Sequence, residues 1–404
     1  MIRKVLFGLL LLLAAGLIYV VTVLPGRFEA QTNVVTDEPL PAVRADATKL
    51  HATLQIADLH GDTLLWKRDL LDKAARGHID LPRLEAGNVA LQIFSSVSKT
   101  PRGQNYDSNS ANTDNITLLA IAQLQPVRTW FSVHERSMWH GQRLEAAAKA
   151  SDGRLMLVRR AADIDRLLAA RAAGKPVTGA LYSVEGLQNL EGKAENLDRL
   201  YGVGMRMAGL VHFFDNELGG SMHGQAKGGL TPFGRKMIRA MEARGIIVDI
   251  AHSSHKSVAE ILAIARRPVV SSHGGVQAVC GVNRNLSDTE IRGVAATGGI
   301  IGIGYWDGAL CSTDPVKIAQ SIKHVRDLVG IGHVALGSDF DGAVTTSFDA
   351  SQIVQVTQAL IDIGFTEAEI RAVMGGNALR LIKQGMERLP GEALEGGAGS
   401  RVGG

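Results

Sequence analysis

Eight short runs of apolar, β-branched residues recur along the chain, and helical patterns with charged outer faces separate most of them. The runs cover 53–58, 89–97, 178–184, 205–211, 246–251, 268–272, 299–304 and 334–337; the clearest helical patterns cover 257–265, 287–296, 316–329 and 351–363. Strands that read as continuous apolar runs, without alternation, are buried on both faces, which is the habit of parallel sheets covered by helices. Eight strand–helix units close most simply into an α/β fold of the (β/α)8 TIM-like barrel type. A doubly wound open sheet is the competing arrangement. It lacks support, because the chain has no G-x-G-x-x-G after a strand, no P-loop and no G-x-S-x-G elbow. Ser287 followed by Glu290 has the form of a capping box at a helix start.

The flanks of this core differ from it. Val5 to Leu24 is an uncharged apolar run directly after Arg3 and Lys4, and as a helix it spans roughly 30 Å, one bilayer core. It is longer than the apolar region of a cleaved signal, and no A-x-A site follows, so an uncleaved signal anchor is the preferred reading over a cleaved signal. The expected organisation is a cytoplasmic n-region at 1–4, a transmembrane anchor at 5–24 and a polar tether at 25–50. A single barrel domain follows at 51–390, then a disordered Gly-rich tail at 391–404. Basic residues ahead of the anchor place the barrel outside, in a periplasm or extracellular space, with a bacterial inner membrane favoured. In an oxidising compartment the two cysteines, Cys280 and Cys311, are candidates for pairing; two buried free thiols are the other reading. A net charge of +3 is too near neutral for a nucleic-acid binder, so no nucleic-acid partner is expected.

In a barrel the carboxyl ends of the strands carry the chemistry. Here they end in metal-ligand types: His60 and Asp62 after the first run, Glu185 after the third, His212 after the fourth, His252 after the fifth, His273 after the sixth, and Asp339 and Asp341 after the eighth. Singly, each has a plain explanation as a hydrogen-bonded rim residue or a turn former. Together they would crowd carboxylates onto one buried rim, and that is unfavourable without a cation. His60, Asp62, Glu185, His252 and His273 offer more donors than one tetrahedral zinc needs. Two metals fit better, with His60 and Asp62 on one, His252 and His273 on the other, and Glu185 bridging. Three imidazoles with two carboxylates suit zinc, so two Zn2+ per chain are expected, sharing a water as a hydrolytic hydroxide.

The ordered set His60-x-Asp62, Glu185-Gly186, His212, Ala251-His252, Ser272-His273, Arg284-Asn285 and Asp339-Phe340-Asp341-Gly342 closely resembles the membrane (renal-type) dipeptidases of the metallo-dependent hydrolase superfamily. The resemblance runs from about residue 53 to Asn377-Ala378-Leu379-Arg380. It implies a binuclear zinc dipeptidase with Glu185 bridging, acting on dipeptides that include C-terminal D-residues. It also implies roles outside the ligand set. His212 would stabilise the oxyanion, Asp339 would shuttle the proton, and Arg284 would grip the substrate carboxylate. Cys280 and Cys311 resemble a disulfide pair of that family, and a homodimer is the state the family favours.

Two alternatives remain beside this reading. One is a metallohydrolase of another C–N bond or of a lactam or lactone; the other is a membrane-tethered metal- or peptide-binding protein without turnover. The polar stretch 99–115 is expected as a long loop that shapes the pocket.

Overall fold

Every run expected to form a strand contains one in the computed structural model, which describes residues 2–387. The barrel strands are β1 (Ile56–Asp58), β2 (Val89–Phe94), β3 (Thr178–Val184), β4 (Met205–Gly209), β5 (Ile247–Asp249), β6 (Val270–Ser271), β7 (Ile300–Ile303) and β8 (Val334–Leu336). All pair in parallel in the order β2-β1-β8-β7-β6-β5-β4-β3, and a further β2–β3 pairing closes the ring. A short strand, Leu155–Leu157, pairs with β3 outside the ring. The sequence showed no sign of it, since three residues carry no readable period.

Alternation within the strands divides the core. Ala57, Leu91, Leu181, Met207, Ile247, Val270, Ile300 and Ala335, one from each strand, form a cluster with Leu379, Leu381 and Ile382 of the helix Asn377–Met386. That helix stoppers the amino end of the barrel. The neighbouring strand residues, among them Ile56, Tyr182, Val248, Ile301 and Val334, pack outward under the surrounding helices. The capping box at Ser287 and Glu290 forms, opening the helix Asp288–Ala296.

The amino-terminal helix Ile2–Thr22 has no buried residue. Together with Leu24–Thr32 it is long and apolar enough to cross a membrane. Residues 25–50, expected as a loose tether, are instead built onto the barrel. Glu29 in Leu24–Thr32 is buried between Arg68 and Arg76, Val34–Val35 pairs with Thr345–Thr346, and Ala45–His51 is helical. A polar stretch need not be solvated: the charged Glu29 is buried through ion pairing. The tail expected at 391–404 lies outside the described residues.

Candidate metal centre and substrate pocket

Each candidate metal ligand, with His212 and Asp339, stands at or just beyond the carboxyl end of a strand; Arg284 comes from the long loop after β6, and the fold brings all of them to one rim. Glu185, directly after β3, is the common neighbour. Its Oε1 lies 2.9 Å from His252 Nε2, 3.3 Å from His273 Nε2 and 3.7 Å from His60 Nε2. Its Oε2 faces His212 Nε2 at 3.4 Å. His60 Nε2 is 3.4 Å from Asp62 Oδ2 and 3.8 Å from Asp339 Oδ1. Ligand atoms gather into three overlapping groups: His60, Asp62 and Asp339; His60, Glu185 and His273; Glu185, His212 and His252. His212 and Asp339, expected only as non-ligands, thus stand close enough to donate as well.

The donor set fits cations. His60 Nδ1 and Nε2, Asp62 Oδ1 and His252 Nδ1 are buried without a hydrogen-bond partner. The Nε2 atoms of His252 and His273 approach to 3.0 Å, an arrangement in which two lone pairs need a proton or a cation between them. Burial, reinforced by the charge of Asp62, pushes the Glu185 carboxyl well above its usual range. Burial likewise lifts Asp339 to about 8. Burial holds His252 and His273 well below the usual imidazole value, which favours the neutral ring that metal ligation requires. His60 behaves oppositely: burial opposes its charge, but Asp62 and Glu185 raise it to about 10. Buried carboxylates crowded against one another and against several imidazoles at a single point are an arrangement that a bound cation stabilises.

Supporting residues orient the rim. Asp249 at the end of β5 accepts from the backbone N–H of Ala251 and Ser272 and from Ser272 Oγ at 2.5 Å. Ser272 Oγ in turn meets His273 Nδ1 at 2.8 Å, turning Nε2 toward Glu185. Asp58 at the end of β1 accepts from the N–H groups of His60 and Ser338, which locks β1 to β8 beside the ligands. Sequence reasoning passed over both aspartates, although each lies two or three residues before a candidate ligand. His252 and Asp339 adopt φ values of 64° and 61°, left-handed backbone that non-glycine residues take up where the surroundings enforce it.

The rim opens into a cavity of about 490 Å³. Glu185, His252, Asp62, Asp339 and Arg284 form its polar end, and Leu65, Trp66, Ile116 and Leu119 an apolar wall completed by Phe28. Arg284 is buried, and burial lowers its pKa from the ordinary arginine value. The loop 99–114 contributes Tyr106, whose hydroxyl accepts from Trp306 Nε1 at 2.9 Å. His223, also missed because it sits on a loop, is buried at 5.2 Å between ring centroids from His252. Asp341, read as a turn former, is a buried anchor that accepts from Thr63, Arg68 and the backbone of His78. Cys280 and Cys311 form a disulfide with their Cα atoms 5.6 Å apart.

Against known families, the profile described as membrane dipeptidase (peptidase family M19) matches residues 44–389. The chain belongs to this family. It is therefore a metallopeptidase of the dipeptidase type, carried on a closed eight-stranded barrel. Among its relatives, Dipeptidase tcpJ of Claviceps purpurea is 29% identical over 326 residues, covering 77% of this chain and 70% of that protein. Dipeptidase verJ of Clonostachys rogersoniana is 27% identical over 352 residues, covering 83% and 85%. The probable dipeptidase PvdM from Pseudomonas aeruginosa shares the fold with a TM-score of 0.69 at 20% identity, over 85% of this chain and 98% of that one. A metallo peptidase from Rhodobacter sphaeroides, solved with a phosphinate mimic of L-Ala-D-Ala, gives 0.64 at 22% identity, over 82% and 99%.

Proposed function

We propose that this M19 dipeptidase is a binuclear zinc enzyme that cleaves dipeptides, including those with a D-residue at the carboxyl end. The observation that carries the reading is the placement of Glu185, whose Oε1 sits within 3.7 Å of three imidazole nitrogens while its Oε2 faces a fourth. His60, Asp62, Glu185, His252 and His273 would hold the metals. Two zinc ions held there would supply a water of lowered pKa and polarise the peptide carbonyl.

The chain's own residues do the rest. Arg284, at the polar end of the cavity, binds the free carboxylate of the substrate as a fork and sets its depth. Asp339 lines the same end and takes the proton of the attacking water, then returns it to the leaving amine. His212 donates from Nε2 to the oxygen of the scissile carbonyl. This uses the Nε2–H tautomer and gives up only the long 3.4 Å contact of its Nδ1 with the Lys99 carbonyl. The apolar wall receives a substrate side chain and excludes water. Acceptance of a C-terminal D-residue is supported by the fold neighbour that binds the L-Ala-D-Ala mimic.

The amino-terminal helix is read as an uncleaved anchor, with Arg3 and Lys4 cytoplasmic and the barrel in an oxidising exterior where the disulfide is stable. Metal analysis of the full chain in detergent, paired with a panel of L-L and L-D dipeptides, tests the whole reading. Near two zinc ions per chain and chelator-sensitive turnover are expected. Unchanged turnover after the metal is stripped, or no cleavage of any dipeptide, sinks it.

A further inference from the structure

Among the described residues, the large apolar side chains that stay exposed beyond residue 36 are concentrated in one place. Leu118, Leu124 and Val127 are 60–61% exposed and Phe131 84%, with Ile121 beside them at 38%. They belong to the helix Asn115–Ala122, the turn after it and the short helix Arg128–Phe131. The helix Asn115–Ala122 has two apolar faces. Ile116 and Leu119 point inward and line the substrate cavity, while Leu118 and Ile121 point out to nothing. An apolar face of this size on a secreted or anchored domain marks an interaction surface.

Its position identifies the occupant. The helix Asn115–Ala122 packs against Leu24–Thr32, which continues directly from the apolar helix Ile2–Thr22. At that junction Arg27 Nη1 donates to the Tyr19 hydroxyl at 3.1 Å, an aromatic and cationic pair of the kind that sits at the level of lipid headgroups. The outward face therefore begins where the anchor leaves the bilayer. Two different segments of the chain, one from the amino terminus and one from the middle, thus present apolar surface side by side.

We propose that Leu118, Ile121, Leu124, Val127 and Phe131 form a second membrane contact, lying in the headgroup and upper acyl region of the bilayer that holds the amino-terminal helix. The barrel is then held at two points and cannot swing about residue 23. The inner face of the same helix is a wall of the cavity, so the cavity mouth opens along the membrane surface. The inference rests on the reading of the amino-terminal helix as a retained anchor.

Spin labels at Leu118→Cys and Phe131→Cys in the full chain, reconstituted in phosphatidylcholine–phosphatidylglycerol nanodiscs, test it. Lys175→Cys serves as control, being exposed in the loop before β3 at the opposite end of the barrel. The native cysteines are paired, so only the introduced thiols take label. The ratio of collisions with oxygen to collisions with a water-soluble nickel complex is expected to be several-fold higher at 118 and 131 than at 175. A ratio equal to that at 175 overturns the second contact and leaves the anchor standing, provided the intact mass shows the helix retained. Low collision with both reagents means that protein covers the patch, whether this chain or a second copy, and also overturns it. A membrane-purified chain whose mass lacks residues 1–24 refutes the anchor and the inference together.

Discussion

The guanidinium of Arg284 donates from Nη2 to the backbone carbonyl of His273 at 2.9 Å, which joins the proposed carboxylate grip to a proposed metal ligand through one short bond. The same guanidinium stands 5.6 Å over the Trp306 ring. A buried Arg with remaining donors turned into a cavity is arranged to receive an anion. Arg284→Ala is expected to lower kcat/KM for free dipeptides by about 100-fold, mainly through KM, while amide-capped substrates change little. Arg284→Lys should fall between, since a point charge replaces a fork. Equal losses on capped and free substrates would show that the residue only supports His273.

The Asp249–Ser272–His273 relay fixes which nitrogen of His273 faces the centre. Removing such an outer partner typically weakens metal binding by about 10–100-fold. Ser272→Ala should therefore raise the zinc dissociation constant, measured by competition with a chromophoric chelator, by an amount in that range and with an unchanged far-ultraviolet spectrum. No change in affinity would mean that packing alone holds the ring.

What the sequence made legible follows from scale. The eight barrel strands stood out because burial on both faces leaves a run of apolar residues, and His60, Glu185, His252 and His273 stood out because they end such runs. Asp249 and Asp58 escaped because their work is done across strands, on backbone N–H groups that become neighbours only when the ring closes. The packing of segment 25–50 is hidden in the sequence for a related reason. Glu29 finds its partners at Arg68 and Arg76, some forty residues on, and no local pattern announces a long-range ion pair.

The disulfide does more than staple two loops. Cys280 lies shortly before Arg284 and Cys311 shortly after Trp306, and Asn285 Nδ2 bridges the same two segments by donating to the carbonyls of Cys280 and Ala309. Cys280→Ser with Cys311→Ser is expected to lower unfolding free energy by about 2–4 kcal/mol. It should also raise KM for free dipeptides more than it lowers kcat, because the Arg284 segment loses its tie. A KM equal to that of the native chain would confine the bond to stability.

One ion pair away from the proposed ligand set gives a signed pH dependence. His255 Nδ1 meets Glu290 Oε1 at 2.6 Å, and that bond raises the imidazole above its ordinary value. Burial pushes Glu290 upward, but the bonds from His255 and Ser287 outweigh it and leave the carboxyl below its usual range. The His contribution is fully present below its unfolded pKa of roughly 6.5 and is lost as pH rises through the raised value; the Glu contribution is present above roughly 4.3 and lost as pH falls through the lowered value. His255→Ala should therefore destabilise most between about pH 4.5 and 6.5 and least above pH 8.5, by about 1 kcal/mol, because the His255 side of the pair is half exposed although Glu290 is buried. Denaturant titrations at pH 5.5 and 8.5 check this, and an equal difference at both pH values would contradict it.

Glu29 tests whether the segment after the anchor belongs to the catalytic domain. Its carboxylate is buried against Arg68 and lies 2.6 Å from Arg76, while Arg68 reaches on to Asp341, two residues from Asp339. Next to it, Phe28 meets Trp66 with ring centroids 6.0 Å apart and closes the apolar wall of the cavity. Taking away Glu29 leaves Arg68 buried with one anion in place of two, and breaking a buried pair in this way costs about 3–5 kcal/mol. Glu29→Ala in the detergent-solubilised full chain is expected to lose stability on that scale. Its kcat/KM should fall most for dipeptides with large apolar side chains, because the wall residue Phe28 shifts with its helix. A loss under about 1 kcal/mol, on the scale of a surface ion pair, would return residues 25–50 to the role of a passive tether.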